Sequence, residues 1–288
     1  MSPVGRVIME KNIMCSKMRA GGRSSEDLRP LKVTYDVCEY AAGSVLFELG
    51  RTRVLCAVTL QSGVPHFLRG KRRGWLTAEY ALLPVSTPIR TVREVTSNKR
   101  NGRTIEISRL IGRTLRSVVD LQAFGEQTVF IDCDVLQADG GTRTACITGA
   151  FLALRAAELN WKLRGMISSS FIRDDLAAIS VGVNGESILL DMDFAEDSAI
   201  DADFNFVLTR SGGLVEMQGT SERQPVAWDS FELARTAALK GAQDLFEFYD
   251  MNGYQPRDLG RYSNGFASKN EYGFIGNHAS GSSFQNEY

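Results

Sequence analysis

A buried strand and a buried helix stand almost end to end in the middle of this chain, and the rest has to be arranged around them. Thr128 to Leu136 reads as a buried strand, and Arg143 to Leu163 as a largely apolar helix, so both belong in a core. The link between them runs through Ala138-Asp139-Gly140-Gly141-Thr142. One reading of the link is a tight strand-to-helix turn with Thr142 as the helix N-cap. The other is an anion site, because glycines let successive N–H groups converge and the following helix adds free N–H groups and a positive dipole end. In that case Thr142 offers its hydroxyl, and Arg143 a forked charge, to phosphate oxygens. The GxxxxGK[ST] spacing of a P-loop is absent, and the string alone does not choose between the two readings.

Hairpin signals flank this centre. Gly43 to Leu60 gives two β-rich runs around Gly50-Arg51-Thr52, and Ala178 to Phe194 repeats the pattern around Asn184-Gly185. Two like hairpins roughly half a chain apart predict an internally duplicated α+β fold. Between them, Thr104 to Ala123 carries Ile107, Leu110, Ile111, Leu115, Val118 and Val119 at helical period, with Arg109, Arg113 and Arg116 off that stripe. Strands are expected near Phe204–Leu208 and Leu214–Gln218. Trp228 to Tyr249 follows as an amphipathic helix with Asp229 and Ser230 as candidate caps. Residues 1–17 read as an N-terminal extension without a secretory h-region, and 18–250 as a single domain. Residues 251–288, rich in Gly, Ser and Asn with spaced Tyr and Phe, read as a disordered low-complexity tail.

Charge matters here through its distribution. The net charge is −1, yet Arg69, Lys71, Arg72, Arg73, Arg90, Arg93, Lys99, Arg100, Arg103, Arg109, Arg113 and Arg116 face only Glu79, Glu94 and Glu106 over the same stretch. A locally basic face on a nearly neutral chain points to a polyanionic partner. The five cysteines are scattered without CxxC spacing, and Cys56 and Cys133 sit in strand patterns, which argues for a reducing cytosol and against a disulfide or zinc framework. No apolar run nears the roughly 18 residues of a membrane span. The two histidines, His66 and His278, make a Ser-His-Asp hydrolase a poor fit.

Two further elements carry chemistry. Arg103, at a helix start, opposes the dipole unless an anion lies beside it, although a solvated surface arginine explains it as well. Asp191, Asp193, Glu196, Asp197, Asp201 and Asp203 crowd one short segment, where carboxylates repel one another unless a cation offsets them. Asp197 and Asp203 can hold Mg²⁺, or one can act as a general acid; a solvated acidic loop is the plain alternative. Phosphate donors, a carboxylate pair and a basic face are together the parts of metal-assisted phosphoryl or nucleotidyl transfer.

From Met18-Arg19-Ala20-Gly21-Gly22-Arg23 to about Tyr249, the chain resembles the ribonuclease PH family of phosphorolytic tRNA 3′-exonucleases, related to polynucleotide phosphorylase and the exosome ring. The resemblance rests on GWLTAEYALLP, GRTIEISRLIGRTLRSVVDL, DCDVLQADGGTRTACITGA, EDSAIDADFN and VEMQGTSE, in that order. It implies a fold of two duplicated βαβ-type halves and a hexameric ring built as a trimer of dimers. It implies that Arg103, Gly141, Thr142 and Arg143 bind inorganic phosphate as co-substrate. Asp197 and Asp203 serve Mg²⁺ binding and proton delivery on the same basis, and Arg90 and Arg93 contact tRNA. Val85 departs from the arginine many members carry, which touches RNA contact or assembly and not the phosphate site. The expected activity is trimming of tRNA precursors in the cytoplasm, releasing nucleoside diphosphates. The competing expectations are a non-catalytic RNA-binding ring subunit and, lacking a nucleotide-binding loop, a small-molecule kinase.

Overall fold

Strand alternation builds the first sheet. In the computed structural model, which describes Arg19 and residues 22–97, 101–185 and 187–256, β1 (Leu31–Tyr35), β2 (Gly43–Leu49) and β3 (Thr52–Ser62) form an antiparallel meander. Thr52, Val54, Cys56 and Val58 of β3 are buried while Arg53 between them is exposed, the period-2 signature of one face on a core. Leu49 pairs with Thr52 across a two-residue turn in which Gly50 takes φ 58°. β4 (Trp75–Leu82) continues through the short α1 (Glu94–Ser97) and α2 (Gly102–Ser117) to β5 (Gln127–Gln137). β5 lies parallel to β4 and antiparallel to β3, giving the order β1-β2-β3-β5-β4. The central helix α3 (Thr142–Leu163) follows.

The second half is antiparallel throughout. β6 (Leu176–Asn184) and β7 (Ser187–Leu190) form the Asn184-Gly185 hairpin, the short α4 (Phe194–Asp197) follows, and β8 (Ala202–Thr209) and β9 (Leu214–Ser221) complete the order β7-β6-β8-β9. α5 (Trp228–Met251) then covers β6, β7 and β8. β6 is buried at every position but its last, with both α3 and α5 packed against it. α3 also packs on β2 and β3, so it is the layer shared by both sheets, and its low amphipathicity follows from that position. The α+β architecture opens each half on a hairpin, with its β–α–β crossover, β4–α2–β5, in the first half.

Local signals were overridden at three places. The apolar period of α2 runs to Val119, yet the helix ends at Ser117. Val119 bridges Ile172, and Asp120 donates its N–H to Phe171 O, so tertiary pairing takes over the last turn. α5 has Ala227 at its N-cap without a side-chain bond, and Asp229 sits instead inside the first turn, where its charge faces the positive helix end. Past the end of α5, Tyr254 packs its ring on Tyr35 and joins Asn160 and Asp36 through its hydroxyl, and the compact unit runs to that residue. The expectations for residues 1–17, for Lys99 and Arg100, and for the tail beyond residue 256 lie outside the described residues.

Candidate active site

The Gly-Gly turn is fixed by what lies against it. Gly140 has φ 80°, and a Cβ there would stand 2.6 Å from Met192 O and 2.7 Å from the Asp193 carbonyl carbon, so the acidic segment's backbone rests on this glycine. Gly141, at φ 64° and ψ 27°, is the N-cap of α3 and has no side-chain cap. This corrects the expectation for Thr142, which is the first helical residue. The left-handed cap suits glycine, and Thr142 is thereby turned toward Tyr80. The turn's carbonyls are tied down from below: Thr52 Oγ1 donates to Gly140 O at 2.7 Å, and Arg29 donates to Asp139 O. Arg51 forks onto the Asp139 carboxylate through Nε and Nη2, each at 3.0 Å.

Four of the six clustered carboxylates have structural partners. Asp191, with 0% exposure, takes two bonds from the Arg29 guanidinium at 2.7 and 2.9 Å and one from the Arg29 N–H at 2.7 Å. Asp193 and Glu196 form a capping box on α4, and Glu196 also receives Arg19 Nε at 2.6 Å. Asp201 accepts the Gly185 N–H at 3.0 Å. Asp197 and Asp203 are left. Among the described residues the Asp197 carboxylate makes no hydrogen bond or ion pair, and Asp203 accepts a single bond, from Asn205 Nδ2 at 3.0 Å. Loss of hydration is the main cause that pushes the Asp203 carboxyl up to about 6, with the charge of Asp197 adding to it and Asn205 and Arg143 opposing. Asp197 is more exposed and is also shifted upward, by desolvation first and then Glu222, against Arg103, Arg143 and Arg29.

Arginines face this pair from the other half. Arg103 follows the Asn101 cap on α2, and among the described residues its guanidinium makes no hydrogen bond or ion pair. Arg143, one residue into α3, is held at its end by Glu106 of α2 at 3.3 Å and by Gln218 of β9 at 3.4 Å. Gln218 Nε2 in turn donates to Glu106 at 3.0 Å. Among the described residues Arg143 Nε is buried with no protein acceptor, an orphaned donor of the kind a bound anion satisfies. The Tyr80 hydroxyl donates to Thr142 Oγ1 at 3.3 Å in the field of both arginines. Arg103, Gly141, Thr142, Arg143, Asp197 and Asp203 thus converge from α2, the start of α3, α4 and β8.

The basic stretch is less uniform than its sequence. A groove of about 1430 Å³ runs along β4 and α2, lined by Arg93, Arg103 and Arg109. Arg113 and Arg116 line it too, but Arg113 forks onto Glu216 at 2.7 and 2.9 Å and Arg116 lies 4.5 Å over the Trp75 ring. Arg90 is exposed on the preceding loop, outside the groove lining, and Val85 is 70% exposed on the same loop. Arg29, Tyr80, Glu106, Gln218 and Glu222 were missed as site residues. Gln218 and Glu222 lie within VEMQGTSE, which marked the region without marking them.

The chain is similar to known proteins in both sequence and fold. The model of the 3′ exoribonuclease family, domain 1 (RNase PH), matches residues 27–160. Proteins named ribonuclease PH from Tropheryma whipplei, strains Twist and TW08/27, are each 49% identical over 235 residues, covering 82% of this chain and 95% of theirs. In fold, rice (Oryza sativa) Rrp46 superposes with TM-score 0.66 at 20% identity, over 81% of this chain and 99% of that one. A chain of the Archaeoglobus fulgidus exosome with RNA bound to the active site superposes with TM-score 0.67 at 23% identity, over 81% and 93%. With near-half identity across almost the whole length of curated relatives, the chain belongs to the ribonuclease PH family of 3′ exoribonucleases.

Proposed function

We propose that the chain trims the 3′ ends of tRNA precursors by phosphorolysis, with Arg103, Gly141, Thr142 and Arg143 holding the attacking phosphate. A phosphate oxygen attacks the terminal phosphorus, and the bond to the 3′ oxygen of the preceding nucleotide breaks. The terminal nucleotide leaves as a nucleoside diphosphate, and the reverse reaction adds a nucleotide and releases phosphate. The observation that carries this reading is the meeting of two arginines, one without an ionic partner and one with an orphaned buried Nε, beside two carboxylates without an ion pair, all among the described residues. The arginines offset charge and position the nucleophile, and the amino end of α3 adds its dipole.

One carboxyl of the pair gives a proton to the departing 3′ oxygen while the other is free to bind metal, and Asp203, pushed up to about 6 by burial, is the better suited of the two to carry that proton. The pair also fits Mg²⁺: both are hard oxygen donors raised by burial and by nearby negative charge, and Mg²⁺ takes one or two carboxylates alongside substrate phosphates. When bound, it neutralises charge at the reacting phosphoryl group. Arg90 and Arg93 hold the RNA backbone ahead of the site, so affinity falls with added salt. A trimer-of-dimers hexamer and a cytosolic location complete the proposal. The first is supported by the likeness to exosome chains, the second by the free thiols of Cys38, Cys56, Cys133 and Cys146.

The test is a tRNA with extra 3′ nucleotides, incubated with Mg²⁺ and with or without phosphate. Nucleoside diphosphates are expected only with phosphate. Monophosphates released without it would sink phosphorolysis, and no release in either arm would favour a non-catalytic RNA-binding subunit.

A further inference from the structure

We infer that Tyr80 is a positioning residue that aims the Thr142 hydroxyl proton at the bound phosphate; the inference rests on the phosphate-binding reading of Thr142. A hydroxyl has one proton to give and two lone pairs to receive with. Tyr80 Oη occupies one lone pair of Thr142 Oγ1 as a donor at 3.3 Å, so the threonine proton must point elsewhere. Threonines within these helices usually return that proton to their own backbone. Thr114 donates to Leu110 O and Ile111 O at 3.0 Å, and Thr144 to Gly141 O at 2.9 Å. Thr142 opens α3 and has no helical carbonyl one turn behind it. Among the described residues its hydroxyl donates to no protein acceptor.

The surroundings fix both roles. Tyr80 is 3% exposed and Thr142 8% exposed, so water does not compete for the contact. β4 runs parallel to β5 with Tyr80 opposite Cys133, which places the phenol under the start of α3 without any loop that could shift it. Burial, with the nearby Cys146 adding to it, pushes the Tyr80 phenol up to about 12, so it remains a proton donor throughout the working pH range. The charges of Arg103 and Arg143 reach the same phenol, which puts the free Thr142 proton among the donors assigned to phosphate.

The experiment measures phosphorolysis against phosphate concentration for the full chain, Tyr80→Phe, Thr142→Val, Thr142→Ser and the double variant Tyr80→Phe/Thr142→Val. Losing one aligned hydrogen bond should raise the phosphate KM of Tyr80→Phe by about 5- to 10-fold, with kcat at saturating phosphate falling less than about twofold. Thr142→Val should raise the same KM, Thr142→Ser should stay near the wild type, and the double variant should be no worse than Thr142→Val. An unchanged phosphate KM in Tyr80→Phe, or additive effects in the double variant, overturns the inference while leaving phosphorolysis intact. If Tyr80→Phe does not fold, a wild-type phosphate KM in Thr142→Val overturns it, and a raised KM in Thr142→Val with rescue by Thr142→Ser supports it. A wild-type chain that shows no phosphate dependence removes the phosphorolysis reading and this inference with it.

Discussion

Asp191 and Asp203 lie twelve residues apart on one acidic segment and have opposite fates. Asp191 is wholly buried, yet Arg29 meets both of its oxygens and its N–H adds a third bond, so its charge is neutralised within the fold. Asp203 is partly buried with one amide donor and no ion pair among the described residues, and its carboxyl is pushed up to about 6 by desolvation first and by Asp197 next. Arg29 and Arg143 repeat the contrast from the cationic side. Arg29 spends its donors on Asp191 and on the Gly-Gly turn, whereas Arg143 keeps Nε without an acceptor. A charge satisfied by the protein holds the fold; a charge the protein leaves unsatisfied is kept for a ligand.

The sharpest way to break that comparison is Arg29→Ala. It strands a buried carboxylate, since Arg23 is 3.9 Å from Asp191 and cannot replace a forked partner, and such a loss costs about 3–5 kcal/mol. Chemical unfolding should show the full drop. A variant of unchanged stability that lost phosphate binding would place Arg29 with the ligand groups and end the distinction. Arg143→Ala should behave in the opposite way. Its pairing with Glu106 is partly exposed, so stability should move by no more than about 1 kcal/mol. The phosphate KM should rise about 10- to 100-fold, which phosphate titration of nucleoside diphosphate release would read directly.

The periodic features were legible and the long-range pairings were not. The two hairpins and the strand-to-helix centre follow from alternation and Asn-Gly or Gly-Arg turns, because those patterns are local. The cation at a helix start, the glycines before a helix and the crowded carboxylates drew attention without deciding, and the family resemblance is what singles out Arg103, Thr142, Arg143, Asp197 and Asp203 among them. Arg29 carries no such signal. Its partner is 162 residues away, and before folding it is one arginine ahead of a proline. Tyr80 and Gln218 hide likewise in strand patterns that their apolar and polar neighbours explain. The cap reading of Thr142 fails because the threonine preference is statistical, whereas the left-handed turn that gives the position to Gly141 follows from the acidic backbone against Gly140.

The smallest effect sharpens the comparison most, because it changes sign. If Asp203 is kept unsatisfied for function, neutralising it should stabilise the free protein even as turnover is lost. Its folded pKa of about 6 lies above the ordinary carboxylate value, so the folded state binds the proton more tightly than the unfolded chain. The native state therefore loses stability as pH rises through that interval, and Asp203→Asn, which cannot ionise, escapes the loss. In Mg²⁺-free and phosphate-free buffer at pH 7.5, Asp203→Asn should be more stable by about 1–2 kcal/mol, an upward Tm shift of a few degrees for a domain of this size. Near pH 4 the carboxyl is already protonated in the fold, and the two proteins should melt together. Asp191→Asn should move the other way, being destabilised at pH 7.5, because it discards a charge that Arg29 already balances. Equal destabilisation in both variants would mean that the fold relies on Asp203 as it does on Asp191, and that the acidic segment has no division of labour.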